Sequence, residues 1–222
     1  MTPDKATSCV ALRHDTLRFL DRLRAAFPLE QRIERAETAT RDAYARVLAR
    51  WIDGKIPSLD LLSPAEMQSL RELDAIVPGP GGIGCYPFSV DDRGIRVRLG
   101  HRRVSAMCAI DALAMARLAS STGIVNARCV TCLNPVSCEV QADGSLQHDA
   151  CESARVLWRH AVRKTGSCSD SLCRDLVFLC RQCASPGDSD CLTLPQATAV
   201  ANAFFRFQRG LIPARSCLKR TP

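Results

Sequence analysis

The sequence predicts an α+β fold: an N-terminal helical, winged-helix-like domain followed by a mixed domain of short antiparallel sheets and helices. Three observations predict it. Apolar residues recur at helical spacing through roughly the first third of the chain. The breaker cluster Val77-Pro78-Gly79-Pro80-Gly81-Gly82 then ends that pattern. Beyond it, short alternating runs are separated by turn residues, with further helical stretches between and after them.

The elements follow in order. Leu12, Thr16, Phe19, Leu20, Leu23 and Phe27 lie on one helical face, and Pro28 stops that helix. A second stripe runs through Ile33, Ala36, Thr40, Ala43, Tyr44, Val47, Leu48, Trp51 and Ile52, with Asp53-Gly54 as its stop. Ser63-Pro64-Ala65-Glu66 starts a third helix, with Ser at the N-cap, Pro at the first helical position and Glu at N3. Met67, Leu70 and Leu73 then face inward. Strands are expected over 83–90 and 95–99, joined as a hairpin by Asp91-Asp92-Arg93-Gly94. Three helices and a hairpin make the winged-helix outline. A domain is therefore drawn over 1–80 and a second over 81–222, with the hairpin 83–99 open to either. Ser105 is expected to cap a helix that runs through Cys108 and Asp111 to about Leu118. Strand-like runs over 124–130 and 136–141 lead into the turn Ala142-Asp143-Gly144-Ser145. Residues 151–165 fit a strand through Val156, Trp158 and Val162, or a helix. A last helix is expected over 194–208.

Composition excludes several classes. The formal net charge of +7 would attract nucleic acid, but the basic residues are interleaved with Asp and Glu and form no arm. The third helix, which a DNA-binding winged helix would make basic, is close to neutral, so no nucleic-acid partner is expected. No apolar run approaches the ~20 residues that span a bilayer, so no membrane partner is expected either. The start, MTPDKATSCVALRHDTL, has no apolar core of a signal segment, and a cytoplasmic location is expected. Thirteen cysteines are then the anomaly. A reducing compartment does not sustain a disulfide framework, which leaves soft-metal binding, redox chemistry or a zinc site. Taken singly, most of them read as small buried hydrophobes.

Two constellations stand out. Cys108 and Asp111 are three apart, so on a helix a thiol and a carboxylate share a face and can exchange a proton. That spacing is common on ordinary amphipathic helices. The apolar neighbours Ile110, Ala112 and Leu113 add the expectation that Asp111 is partly buried, which raises its pKa above the usual value of about 3.9. The second constellation is Cys129-x-x-Cys132 with Cys180-x-x-Cys183, the ligand pattern of tetrahedral zinc. The 47 residues between the pairs exceed those of compact zinc ribbons. Buried thiols, a redox pair or capture of a soft metal ion would also account for them, and the expectation from sequence is that the four do not close a zinc site.

The segment from Arg102 to Leu113, with Cys108-Ala109-Ile110-Asp111 at its centre, resembles the Cys-Ala-Leu-Asp signature of organomercurial (alkylmercury) lyases. Cys129-Val130-Thr131-Cys132-Leu133-Asn134-Pro135-Val136 is similar to the family's cysteine loop ending in Pro-Val. Leu172-Cys173-Arg174-Asp175-Leu176-Val177-Phe178-Leu179 is similar to the segment with the second reactive cysteine, although the family's histidine and paired aromatics are replaced there. The resemblance runs from about Ala45 to Phe207. It implies protonolytic cleavage of carbon–mercury bonds, giving a hydrocarbon and Hg(II), with no cofactor. It also implies that Cys108 and Cys173 are the mercury-binding thiolates, and that Asp111 relays the proton and touches the metal product. Cys168, Cys180 and Cys183 stand near Cys173 and compete with it as the second thiolate. The implied partners are an organomercurial substrate, small-molecule thiols, and a mercuric reductase as acceptor of Hg(II). Two further readings stay open: a non-catalytic homologue binding Hg(II) or another soft metal, and a zinc-stabilised winged-helix regulator.

Overall fold

The computed structural model describes residues 5–147, 154–159, 166–184 and 190–212. Four helices come first: α1 (Lys5–Ala26), α2 (Leu29–Arg35), α3 (Thr38–Ile52) and α4 (Pro64–Glu72). The apolar stripe that reads as one helix from Ile33 to Ile52 is divided between α2 and α3. Ala36 is extended there (φ −69°, ψ 155°) and ends α2. The break keeps the stripe, because Leu29 and Ile33 of α2 enter the same core as Tyr44, Val47, Leu48 and Trp51 of α3. Gly54 follows α3 at φ +79°, the left-handed position that favours glycine. Arg102 packs where its Cβ would stand, and donates to the Ile52 carbonyl at 3.0 Å, capping the helix end. At α4, Ser63 Oγ accepts from the Glu66 N–H at 3.3 Å and Glu66 Oε2 accepts from the Ser63 N–H at 2.9 Å, the expected capping box.

Seven antiparallel strands follow: β1 (Ile76–Gly79), β2 (Gly82–Cys85), β3 (Phe88–Ser89), β4 (Arg96–Leu99), β5 (Arg102–Ala106), β6 (Gly123–Arg128) and β7 (Pro135–Val140). Their order in the sheet is β1-β2-β3-β5-β4-β6-β7. Two sequence expectations are corrected here. The breaker cluster at 77–82 is itself a hairpin, pairing Ile76 with Cys85 and Gly79 with Gly82. Pro78 is tolerated because β1 is an edge strand, where a missing N–H leaves no inner ladder bond unmade. The hairpin expected over 83–99 does not form, since β5 lies between β3 and β4. The real hairpin is β4 with β5, turning at Gly100 (φ +58°) and His101. Arg102 to Ala106, which reads as the approach to a helix, is therefore a strand.

Helix α5 (Ala109–Leu118) comes next, and only Arg117 among its ten residues is not buried. It contacts the large sheet on strands β4 to β7 and touches a smaller sheet through strand β9 (Leu176–Cys180). That second sheet has the order β10-β8-β9, with β8 (Ala154–Trp158) and β10 (Cys191–Thr193). The ambiguous stretch 151–165 is thus a strand over Ala154–Trp158, and Val162 lies outside the described residues. Short α6 (Leu172–Asp175) precedes β9. The last helical stretch is α7 (Leu194–Phe204), opened by a Thr193–Gln196 capping box, and α8 (Arg206–Leu211) after a break at Phe205. Helix α7 packs along α5 and α1. The chain is an α+β protein, with one almost wholly apolar helix held between its layers.

Candidate active site

Strand β5 delivers the chain to Cys108, which is extended (φ −154°, ψ −178°) and forms the N-cap of α5. The sequence places Cys108 inside a helix, and this is corrected. The helix begins one residue later, and the N-cap-to-N3 relation brings the pair together instead of a shared helix face. The Asp111 N–H donates to Cys108 Sγ at 3.4 Å, the place a serine hydroxyl takes in an ordinary cap. Asp111 then lies in the first turn of a helix whose whole surface is packed.

Cys173 on α6 reaches the same point from the far side of the chain. Its thiol donates to Asp111 Oδ2 at 3.7 Å, and the ligand atoms of Cys108, Asp111 and Cys173 all lie within 4.8 Å of one another. All three are at most 4% exposed. Cys168 stands beside them, its sulfur 3.8 Å from that of Cys173. Cys180 and Cys183, which compete in sequence for the role of second thiolate, belong to a separate cluster.

The segment carrying Cys173 is held by residues that no sequence motif singles out. Asp74 Oδ2 accepts from the Cys168 N–H at 2.7 Å, and the Tyr86 hydroxyl accepts from the Ser169 N–H at 2.9 Å. That hydroxyl donates in turn to Asp74 Oδ1 at 3.2 Å. Arg93 donates to the Ser169 carbonyl at 2.7 Å. The contacts to Cys168 and Ser169 join residues 76 to 94 positions apart, and no local pattern announces them.

The electrostatics are those of a dry site. Burial pushes Asp111 up to about 7, against the pull of the Cys108 and Cys173 thiols, the Cys108 backbone contact and the more distant Arg93. Burial, then Cys173 and Asp111, raise the Cys108 thiol well above its ordinary value. The Cys108 contact draws Cys173 down, but Cys168, burial and Asp111 outweigh it and leave that thiol raised as well. Both sulfurs therefore rest as thiols, and the carboxyl beside them exchanges its proton near neutral pH. Above the three groups opens a small apolar pocket, lined by Leu23, Phe27, Ile110, Leu172 and Phe204. Phe27 and Phe204 also border a surface groove with Arg24, Glu30 and Glu34.

The two CxxC pairs also meet, although 47 residues separate them in the sequence. The sulfurs of Cys129, Cys132, Cys180 and Cys183 lie within 4.8 Å of one another. Cys129 and Cys180 are buried, Cys183 is half-buried and Cys132 is exposed.

A family model described as alkylmercury lyase matches residues 88–205, a little over half of the chain, and spans both clusters. Among solved structures, one described as the mercury-bound form of MerB2 aligns with a TM-score of 0.53 at 17% identity. That alignment covers 88% of this chain and 99% of the other, and speaks for a common fold. No curated protein matches.

Proposed function

Because the chain belongs to the alkylmercury lyase family, we propose that it cleaves carbon–mercury bonds by protonolysis, with Cys108 and Cys173 as thiolates and Asp111 as proton carrier. One observation carries this reading. Two soft donors and one proton carrier, all within 4.8 Å of one another, face an apolar pocket.

The chemistry follows from the groups. Mercury is a soft metal, and thiolates are the softest protein ligands. An organomercury cation R–Hg⁺ enters past Phe27 and Phe204 and displaces the proton of one thiol, forming S–Hg–R. Asp111, as carboxylate, removes the proton of the other thiol, and the new thiolate adds to mercury. That second donor raises electron density on the Hg–C bond. Protonated Asp111 then gives its proton to carbon, the Hg–C bond breaks, and its electron pair forms R–H. In sum, R–Hg⁺ and two thiols give a dithiolate-bound Hg(II), R–H and one proton. A carboxyl with a pKa near 7 suits both halves of this relay, as base toward a thiol and acid toward carbon. Small-molecule thiols remove Hg(II) from the site, and a mercuric reductase is a fitting acceptor. A reducing compartment such as the cytoplasm suits this chemistry, since it keeps the reacting thiols reduced.

The test is direct. Purified protein is incubated with phenylmercury and excess small thiol, and benzene is measured by gas chromatography. More than one benzene per chain is expected. If phenylmercury stays intact while the protein binds Hg(II), the chain is a mercury-binding homologue without lyase activity.

A further inference from the structure

We propose that Cys129, Cys132, Cys180 and Cys183 form a tetrathiolate site for a structural Zn(II) ion that clasps the small sheet to the large one. This inference is independent of the lyase reading and uses none of its residues.

Geometry carries it first. A zinc ion holds thiolates at about 2.3 Å in a tetrahedron, which sets neighbouring sulfurs about 3.8 Å apart. Here the Cys132 and Cys180 sulfurs are 3.5 Å apart, and all four fall within 4.8 Å. Small side-chain adjustments suffice to close them on one ion.

The backbone around each pair is a tight chelating turn. Cys129 follows β6, and its carbonyl accepts from the Leu133 N–H at 2.9 Å while its own N–H donates to the Asn134 carbonyl at 2.9 Å. Leu133 takes the left-handed conformation (φ +62°) that this turn needs. Cys180 ends β9, and its carbonyl accepts from the Cys183 N–H at 3.1 Å. The Val130 N–H donates to the Phe178 carbonyl at 3.0 Å, tying the first turn to the strand that leads to the second.

The ordinary explanation for a buried cysteine fails for half of the set. Cys132 is exposed, between the exposed Val130 and Leu133 in the chain, and Cys183 is only half-buried, so burial of small apolar side chains does not bring them together. The donor set also differs from the first cluster. It has four sulfurs and no carboxylate, which fills the coordination of zinc and leaves no open position for a substrate. Its place in the fold gives it a purpose. One pair sits on the β6–β7 loop of the large sheet, and the other ends β9 of the small sheet, seven residues after Cys173.

Metal content decides the matter. The full chain, expressed and purified with reducing agent but without added zinc or chelator, is analysed by plasma mass spectrometry. About one zinc per folded chain is expected, still present in Cys108→Ser and lost in Cys132→Ser with Cys183→Ser. Cobalt added to the zinc-free chain should give the intense visible bands of tetrahedral tetrathiolate Co(II). Should the double variant misfold, the wild-type zinc content and the cobalt spectrum still decide. A folded wild-type chain without zinc, or with stoichiometric iron, overturns the proposal. So does a folded double variant that keeps its zinc.

Discussion

Two clusters of cysteine stand at opposite ends of β9, built from similar parts and suited to different work. At one end, Cys173 meets Cys108 and Asp111 in a buried, apolar setting with a pocket above. At the other, the buried Cys129 and Cys180 meet the half-buried Cys183 and the exposed Cys132, with no carboxylate among them. Both gather soft donors, so softness alone does not separate catalysis from structure. What separates them is an unfilled coordination shell and a proton that can move. Two sulfurs leave mercury open to exchange and to bond cleavage. Four sulfurs hold an ion closed. Burial adds the second difference, since it is what keeps a proton on Asp111 near neutral pH.

The largest expected effect tests that separation. Cys108→Ser should abolish benzene release and lower Hg(II) uptake by one ion per chain, because a hydroxyl is a hard, poor ligand for mercury. Mercury uptake is read by equilibrium dialysis of the zinc-loaded chain against a competing thiol. Uptake unchanged from the parent would mean that the buried cluster does not hold mercury.

Asp111→Asn comes next. It keeps both sulfurs, so Hg(II) binding should survive while turnover falls by roughly 10² or more. In the parent, kcat/KM should rise as pH climbs through about 7, where the free carboxyl ionises, and the variant should lack that limb. Stability carries a matching signature. The folded pKa of Asp111 lies above its unfolded value, so the stability tied to its proton is complete below about pH 4 and lost as pH rises through about 7. The amide of the variant does not titrate and suffers no such loss. Denaturant titrations should show the variant gaining on the parent from mildly acid to mildly alkaline pH, by an amount on the order of a few kcal/mol. An unchanged difference across that range would mean that Asp111 is ionised in the folded protein throughout.

How much of this is legible in the sequence depends on how far apart the partners are. The Ser63 capping box, the Gly54 stop and the alternating β6 and β7 are local, and their residues announce them. Spacing pairs Cys108 with Asp111 correctly for a partly wrong reason, because an N-cap and its N3 residue are also three apart. The strand Arg102–Ala106 escapes a sequence reading since Arg102-Arg103-Val104-Ser105 alternates too weakly to be told from a helix approach. Its pairing with β4 also displaces the expected hairpin. The meeting of Cys132 with Cys180, and the hold of Asp74 and Tyr86 on the Cys168 segment, depend on contacts across the fold that no spacing rule encodes.

A smaller effect links the two ends of β9. If zinc pins the C-terminal end of that strand, losing it should loosen α6 and the position of Cys173. Cys132→Ser with Cys183→Ser should lower the melting temperature clearly and reduce turnover only severalfold, since every reacting group remains. Turnover lost as completely as in Cys108→Ser, in a chain that is still folded, would place the surface cluster in the reaction itself.

The smallest expected effect concerns Cys168, a rival to Cys173 on sequence grounds. Its sulfur is 3.8 Å from that of Cys173, close enough to share a hydrogen bond and to raise the Cys173 thiol. It stands outside the group of three whose ligand atoms all approach within 4.8 Å. Its backbone N–H is engaged by Asp74, so the main-chain position is fixed independently of the thiol. Replacing that thiol with a hydroxyl therefore removes a neighbour of the reacting sulfur and no reacting group. Cys168→Ser should keep turnover within about threefold of the parent, a change of less than about 1 kcal/mol in the barrier. Cys173→Ser should instead fall to the level of Cys108→Ser. Both variants are assayed with phenylmercury under excess thiol, so that slow release of Hg(II) does not mask the chemical step. If the two results are reversed, Cys168 is the second thiolate and Cys173 its neighbour. The buried cluster would then keep its chemistry, with one sulfur exchanged for the next.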